Sequence, residues 1–190
     1  VKALIMSKSG YTNNQGDVQR TNERAIAEGV AALNVLGIED VEIEDFPTKD
    51  IQFHSEVVES IERIMKAFAP DIIFTHHPFD THQAHEGVSK STIAAARRHN
   101  NVLFYEPITP SGRSYVAFKP QLYVGIDGYI DAKINALREH ASEYDKFGGE
   151  DWIKGVYSRC GYRGYEIGVE FAEAFEVLRL EFSLGRRFGL

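Results

Sequence analysis

The amino-acid sequence predicts an α/β protein in which a mainly parallel sheet carries helices on both faces. Short apolar runs rich in β-branched residues alternate along the chain with longer segments whose apolar residues recur every three or four positions. This alternation is typical of parallel strands joined by crossover helices. The length of 190 residues, without an internal repeat or a Pro/Ser-rich linker, favours a single domain over residues 1–190.

Five of the apolar runs have the length and composition of buried strands. In chain order they are Lys2–Ser7, Asp40–Asp45, Asp71–His76, Val102–Tyr105 and Gln121–Ile126. Right-handed crossovers bring the loops that follow such strands to one edge of the sheet, where α/β proteins usually bind ligands.

Five longer segments between and after these strands have helical spacing. The clearest is the second, because Val57, Ile61, Ile64 and Phe68 fall on one face of the helix. The predicted helices are Gln19–Leu36, Ser55–Phe68, His85–Arg98, Tyr129–Tyr144 and Glu150–Cys160.

Two further segments complete the prediction. The closing run Ala172–Phe182 is compatible with either a helix or a strand. Glu106–Pro120 contains several prolines and is expected to be a long surface loop. Loops of that length are uncommon unless they have a function.

Composition and charge exclude several classes of protein. The chain has 28 acidic and 21 basic side chains, so no basic excess is present to neutralise the phosphates of nucleic acid or of an anionic membrane. Cys160 is the only cysteine, which excludes an internal disulfide framework and a multi-cysteine metal site. No run approaches the ~18 apolar residues of a spanning helix, and the N-terminal residues lack a secretory pattern. We expect a cytoplasmic protein without a transmembrane segment; a homo-oligomer is compatible with the sequence.

The most informative stretch is a histidine cluster that directly follows a predicted strand. Four of the seven histidines, His76, His77, His82 and His85, fall within ten residues. Pro78 favours a turning path, and helical spacing resumes near His85, so imidazoles stand at both ends of a strand–loop–helix connection. A single histidine there would most often only cap a strand or face solvent. Four together favour a functional site.

A metal site is the chemistry that these residue types suggest. Imidazole is the commonest side-chain metal ligand, and it exchanges protons near neutral pH. A catalytic zinc needs about three protein ligands and an open water position, often with a carboxylate among the ligands. Asp80 and Glu86 are both nearby carboxylates, and spacing does not single out either.

The sequence resembles the PIG-L or LmbE-like family of zinc-dependent N-deacetylases over nearly its whole length. The matching segments are Arg20 with Glu23, Asp45-Phe46-Pro47, the run Phe74 to His85, Leu103-Phe104-Tyr105-Glu106-Pro107, Phe118-Lys119-Pro120, Lys133, Ala136-Leu137, Ser142, Arg163-Gly164, Gly168, and Phe171-Ala172-Glu173-Ala174-Phe175-Glu176. Each motif alone is modestly specific, whereas their order and spacing together are strong. The resemblance implies a Rossmann-like three-layer sandwich with the family's LmbE-like fold.

The resemblance also implies a reaction and a set of site residues. Family members remove the acetyl group from an N-acetylglucosamine-type sugar, using zinc-activated water and an aspartate general base. His85 would be a zinc ligand, His82 would polarise the acetamide carbonyl or stabilise the oxyanion, and Arg20 would lie near the substrate. Such a metal lowers the pKa of water and stabilises the developing charge. The implied partner is a small N-acetylated sugar.

Two departures from the family pattern qualify this expectation. The family's first signature, A-H-P-D-D-E, which supplies two zinc ligands and the general base, is not among these residues. Ala84 stands where the family usually has a carboxylate that supports the neighbouring histidine. Because the run from Val1 resembles the family's second strand, we expect an N-terminally truncated deacetylase that lacks its first strand, has an incomplete zinc site and is inactive in this form. The alternative is a non-catalytic α/β binding or accessory protein that has lost its metal site.

Overall fold

The structure is a computed structural model that describes residues 1–182, so the last eight residues of the predicted domain lie outside the described part. Its strands are β1 (Lys2–Ile5), β2 (Tyr11–Thr12), β3 (Val18–Arg20), β4 (Asp40–Ile43), β5 (Ile73–Thr75), β6 (Val102–Tyr105), β7 (Leu122–Gly125) and β8 (Ala172–Arg179). Its α-helices are α1 (Asn22–Val35), α2 (Ser55–Phe68), α3 (Gln83–Ala95), α4 (Ile130–Glu139), α5 (Ala141–Lys146) and α6 (Glu150–Ile167).

The chain forms two compact units. The first comprises Val1–Ile51 and Tyr123–Glu173, and the second comprises Gln52–Leu122 and the described residues from Ala174 to 182. The chain passes from one unit to the other after Ile51, within β7 and within β8.

The first unit is built on a parallel pair, β1 and β4, with Lys2 opposite Asp40 and Ile5 opposite Ile43. Helix α1 packs against α4 in the same unit. The hydroxyl of Thr21 accepts the main-chain N–H of Arg24 at 3.2 Å and so caps the start of α1.

The second unit has its core between two helices and a sheet. The apolar stripe of α2 predicted from the sequence is buried at Val57, Ile61 and Ile64, and α2 packs on α3. In its sheet, β5 pairs with β6 and β6 pairs with β8. Strand β6 is central, and its Leu103 is 1% exposed.

Both parallel and antiparallel pairings occur in the described residues. The α/β class is confirmed, and β1–β4 and β5–β6 are parallel as predicted. Strand β8 instead runs antiparallel to β6, which departs from the expectation of a mainly parallel sheet. Three helices, α4, α5 and α6, lie between β7 and β8 along the chain.

Local hydrogen bonding explains the main differences from the predicted elements. Val18–Arg20 is not the start of a helix, because it pairs with Tyr11–Thr12 in a hairpin and the helix begins after its Thr21 cap. The predicted helix Tyr129–Tyr144 is broken at His140, whose ψ is 58°. There the N–H of Ser142 donates to the buried carboxylate of Glu28 at 3.0 Å instead of continuing the helix.

The last two elements also differ from their predicted limits. Helix α6 runs to Ile167 and ends only at Gly168, whose φ of +77° favours glycine. Its extra turns are possible because Gly164 lets the main chain of Glu170 approach; an added Cβ would lie 2.5 Å from that carbonyl oxygen. The closing run is a strand, since β8 pairs with β6. In the described part of the chain, no helix is both long and apolar enough to cross a bilayer.

Candidate functional site

The histidine cluster lies in the second unit, in the connection from β5 to α3. Strand β5 ends at Thr75 and α3 begins after His82, so the connecting loop spans residues 76–82. The hydroxyl of Ser89 on α3 donates to the carbonyl of His76 at 2.7 Å. Ser89 is fully buried, and this bond fixes the end of the strand against the helix.

Three side chains converge at this point with the composition of a metal site. His76, Asp80 and His85 each offer a ligand atom, and these atoms lie within 4.8 Å of one another. The rings of His76 and His85 stack with centroids 4.0 Å apart and planes 11° from parallel. The ring of His82 also lies beside His85, with their centroids 4.4 Å apart.

Asp80 organises the cluster through both carboxylate oxygens. Oδ2 lies 2.9 Å from Nδ1 of His85, and Oδ1 accepts the main-chain N–H of His82 at 2.8 Å. Burial acts to raise the pKa of Asp80, but these hydrogen bonds outweigh it and the pKa is lowered. An ionised Asp80 holds the proton of His85 on Nδ1, which leaves Nε2 with the lone pair that a metal requires.

His76 is kept in its neutral form by its surroundings. Burial, together with the neighbouring His85, lowers the pKa of His76 to about 3. The ring of Tyr105 meets it edge-on at 5.0 Å, and burial raises the pKa of the Tyr105 phenol. At neutral pH, His76 is therefore an uncharged imidazole with a lone pair available for coordination.

His77 has a different, structural environment. Its Nε2 lies 3.2 Å from Oε2 of Glu176, and its Nδ1 accepts the N–H of Phe79 at 3.4 Å. The ring proton is thus on Nε2 and is donated to Glu176, whose carboxylate also accepts the N–H of Lys119 at 2.8 Å. His77 is 2% exposed and ties three segments of the unit together.

The structure shows which of the two candidate carboxylates belongs to the histidine cluster. Asp80 joins the cluster, whereas Glu86 forms an ion pair with Lys90 at 2.6 Å. Ala84 is buried on α3. The carboxylate that supports the His85 ring thus comes from Asp80 in the preceding loop and not from position 84 of the helix.

Arg20 lies in the first unit and is 9% exposed. Its guanidinium donates to the carbonyl of Ser9 at 2.7 Å and lies 2.9 Å from Oε1 of Glu143. Nη1 also donates to the hydroxyl of Ser142 at 3.3 Å, and that residue binds the carboxylate of Glu28. This buried network holds the Ser9 loop against α5.

Sequence reasoning did not single out His76 as a partner of His85. The signal was present, because His76 directly follows a strand and His85 opens the next helix, but linear spacing cannot tell His76 from His77. In the folded chain the two rings differ: His76 stacks on His85, whereas His77 lies against Glu176.

Comparisons with known proteins identify the family of the chain. Residues 1–96 match the family model PIG-L, described as GlcNAc-PI de-N-acetylase. A diacetylchitobiose deacetylase of Thermococcus kodakarensis is 22% identical over 182 residues, covering 90% of this chain and 68% of the relative.

Solved structures show the same fold. The conserved protein TT1542 of Thermus thermophilus has a TM-score of 0.77 at 19% identity, covering 97% of this chain and 85% of that one. The N,N'-diacetylchitobiose deacetylase of Pyrococcus horikoshii has a TM-score of 0.74 at 16% identity, covering 94% and 72%. At these identities the likeness establishes the fold, while function depends on the residues of the site.

Proposed function

The chain belongs to the PIG-L family, and on this basis we propose that it is a metal-dependent N-deacetylase that removes the acetyl group from an N-acetylglucosamine-type sugar. The observation that carries the proposal is the Asp80–His85 pair beside His76, which has the composition of a divalent-metal site. The small-sugar substrate is supported by the relatives, whose names describe deacetylation of diacetylchitobiose.

The donor set fits zinc. Imidazole nitrogens are ordinary zinc ligands, and the ligand atoms of His76 and His85 lie within 4.8 Å of one another. His85 and His76 would hold the ion through ring nitrogens, and Asp80 would orient His85. When bound, zinc supplies Lewis acidity toward the acetamide carbonyl and lowers the pKa of water.

The residues of the chain then have distinct roles. In the hydrolysis, the oxygen of a water molecule bonds to the acetyl carbon, the C–N bond breaks, and a proton from that water passes to the departing nitrogen, which gives acetate and a free amine. His82, whose ring lies beside that of His85, would donate to the carbonyl oxygen as negative charge develops there. The resemblance implies that Arg20 lies near the substrate, and its guanidinium is already bound within the first unit to the carbonyl of Ser9 and to Glu143.

We also propose that these 190 residues alone bind zinc weakly and release no acetate. Both oxygens of Asp80 are engaged in orienting the loop, so the two imidazoles are the donors that remain, one fewer than a catalytic zinc usually has. A joined strand and H-P-D-D-type turn would add a carboxylate and a histidine to these two imidazoles.

The test measures both zinc affinity and the release of acetate. Zinc affinity is measured by competition with a colorimetric chelator in the unmodified 190-residue chain and in two variants. One variant is His85→Ala, and the other is the control His54→Ala, which alters a histidine outside the cluster. Acetate release from N,N'-diacetylchitobiose is then measured with and without a joined H-P-D-D strand and turn. We expect loss of zinc only in His85→Ala, and acetate release only with the added turn and zinc. Equal zinc binding by the two variants would contradict the site, and absence of acetate from the zinc-loaded, extended version would contradict the activity.

A further inference from the structure

His76 is held in place through its main chain. Its carbonyl accepts the hydroxyl of Ser89, which is fully buried on α3, at 2.7 Å. The residue directly before it, Thr75, is the last of β5 and lies opposite Phe104 of β6. These contacts fix the backbone of His76, but they leave its ring free to choose among side-chain rotamers.

Two aromatic neighbours fix the ring of His76. One is His85, whose ring stacks on it with centroids 4.0 Å apart and planes 11° from parallel. The other is Tyr105, whose ring meets it at 66° with centroids 5.0 Å apart. Edge-to-face contacts at this separation are a favoured geometry of aromatic pairs. The imidazole of His76 therefore has two ring contacts, one with a candidate ligand and one with a tyrosine.

Tyr105 lies on a strand that is paired on both of its sides. Strand β6 is parallel to β5 and antiparallel to β8, where Tyr105 is opposite Phe175. A side chain on such a strand has a more precisely fixed starting point than a side chain on a loop. The contact with His76, which begins the loop after β5, therefore comes from a rigid element of the unit.

The residue before Tyr105 makes a similar contact with a different histidine. Successive side chains of a strand point to opposite faces, and the ring of Phe104 meets that of His77 at 87° with centroids 6.1 Å apart. His77 is bound to Glu176 and is not one of the three residues of the candidate metal site. Strand β6 thus carries two adjacent aromatic rings, of which one contacts a candidate ligand and the other a structural histidine.

The phenol group of Tyr105 is uncharged. Burial and the nearby carboxylate of Asp80 both raise the pKa of Tyr105 above its ordinary value. A phenolate is therefore not formed at neutral pH, and the contact that Tyr105 makes with the site is that of its ring.

We propose that Tyr105 is a positioning residue of the metal site: its ring holds the imidazole of His76 beside that of His85 before an ion binds. The inference rests on the proposed function, since it takes His76 and His85 as the ligands. It adds a residue that acts through His76 and does not touch the ion. Fixing a side chain in advance removes the entropic cost of ordering it on binding, which corresponds to about a three- to tenfold gain in affinity for one side chain.

The experiment compares two adjacent aromatic residues of β6. Zinc affinity is measured by chelator competition in the 190-residue chain and in Tyr105→Leu, Tyr105→Phe and the matched control Phe104→Leu. Both leucine variants lose a ring from the same strand, and urea unfolding of the metal-free variants measures how far each is destabilised. Contact between the rings of His76 and His85 is measured without metal, by the nuclear Overhauser effect between their ring protons.

Tyr105→Leu is expected to bind zinc about three- to tenfold more weakly and to lose the contact between the two imidazoles. Tyr105→Phe should keep both because it retains the ring, and Phe104→Leu should keep both although it lowers stability. The wild-type chain should show the ring contact without metal, a measurement that does not depend on the folding of any variant.

Three results would overturn the proposal: absence of the ring contact in the wild-type chain, unchanged zinc affinity in Tyr105→Leu, or an equal loss of affinity in Phe104→Leu. A loss of affinity in Tyr105→Phe would assign the effect to the hydroxyl group and would overturn the role of the ring as well.

The measurement without metal also separates this proposal from the proposed function. A ring contact that depends on Tyr105, in a wild-type chain that binds no zinc, would support the contact that fixes His76 and contradict the metal site. Zinc binding that requires His85 but does not change in Tyr105→Leu would retain the metal site and overturn the positioning role.

Discussion

Oδ2 of Asp80, in the loop that joins β5 to α3, lies 2.9 Å from Nδ1 of His85 in the first turn of α3. The carboxylate is 2% exposed, so water competes little for this hydrogen bond. The pair sets the tautomer of His85 and thereby determines which ring nitrogen faces a metal.

Asp80→Asn is expected to weaken zinc binding about 10- to 100-fold, the usual effect of losing a carboxylate partner of a metal-ligating histidine. The neutral amide no longer holds the Nδ1 proton of His85 as strongly. The measurement is chelator competition, with Glu86→Gln as the control because Glu86 pairs with Lys90 outside the cluster. An Asp80→Asn variant with unchanged zinc affinity would show that the carboxylate does not orient the ligand.

Substitutions of the two histidines at the start of α3 are expected to have different effects on zinc binding and on kcat. In a version that carries the H-P-D-D-type turn, His85→Ala should lose zinc and activity together. His82→Ala should keep the metal and KM while kcat falls about 100- to 1000-fold, the usual effect of removing one oxyanion donor. Metal content and steady-state kinetics are measured on the same samples. Loss of zinc in His82→Ala with retention in His85→Ala would reverse the two assignments.

Stability below pH 5 is expected to depend on Glu28. Burial acts to raise the pKa of this carboxyl, but hydrogen bonds from Ser142 and Arg24 outweigh it, so the folded-state pKa is lowered. The unfolded chain therefore binds this proton first, and the stabilisation is present above the unfolded value of about 4.3 and is lost as pH falls through the folded value.

Urea unfolding at pH 7, 5 and 4 tests this dependence on Glu28. Glu28→Gln should be less stable at pH 7 and should lose less stability on acidification than the wild-type chain. Glu62→Gln, at an exposed ion pair with Arg97, is the control and should follow the wild-type profile. Parallel pH profiles for wild type and Glu28→Gln would contradict the assignment.

Two glycines of α6 are expected to respond in opposite directions to alanine. An added Cβ at Gly164 would lie 2.5 Å from the carbonyl oxygen of Glu170, a main-chain atom that cannot move freely. At Gly155 the added Cβ has nothing within 4 Å. Gly164→Ala should destabilise the chain by about 1–3 kcal/mol through overpacking, and Gly155→Ala should stabilise it by about 0.5–1 kcal/mol through helix propensity. Thermal unfolding of both variants measures the contrast; a neutral Gly164→Ala would refute the close approach.

The sequence pattern predicted the limits of those helices and strands whose own residues specify their secondary structure. Ser55–Phe68 and Val102–Tyr105 form with the predicted limits, because an apolar stripe and a short buried apolar run specify their own secondary structure. The break at His140 was not predictable in this way. It depends on Glu28, more than 100 residues away in sequence, which binds the N–H of Ser142.

The sequence by itself determined the α/β class, the family and the location of the candidate site. Each of these depends on residues that are close together in sequence, namely the alternating apolar runs and the histidine motif. Only the tertiary structure decided which of these side chains meet. It brought His76 and Asp80 to His85 and turned His77 toward Glu176. It also brought Tyr115 beside Phe79 from 36 positions further along the chain. The physical reason is that strand pairing and loop closure set the direction of each side chain, and neither is encoded in linear spacing.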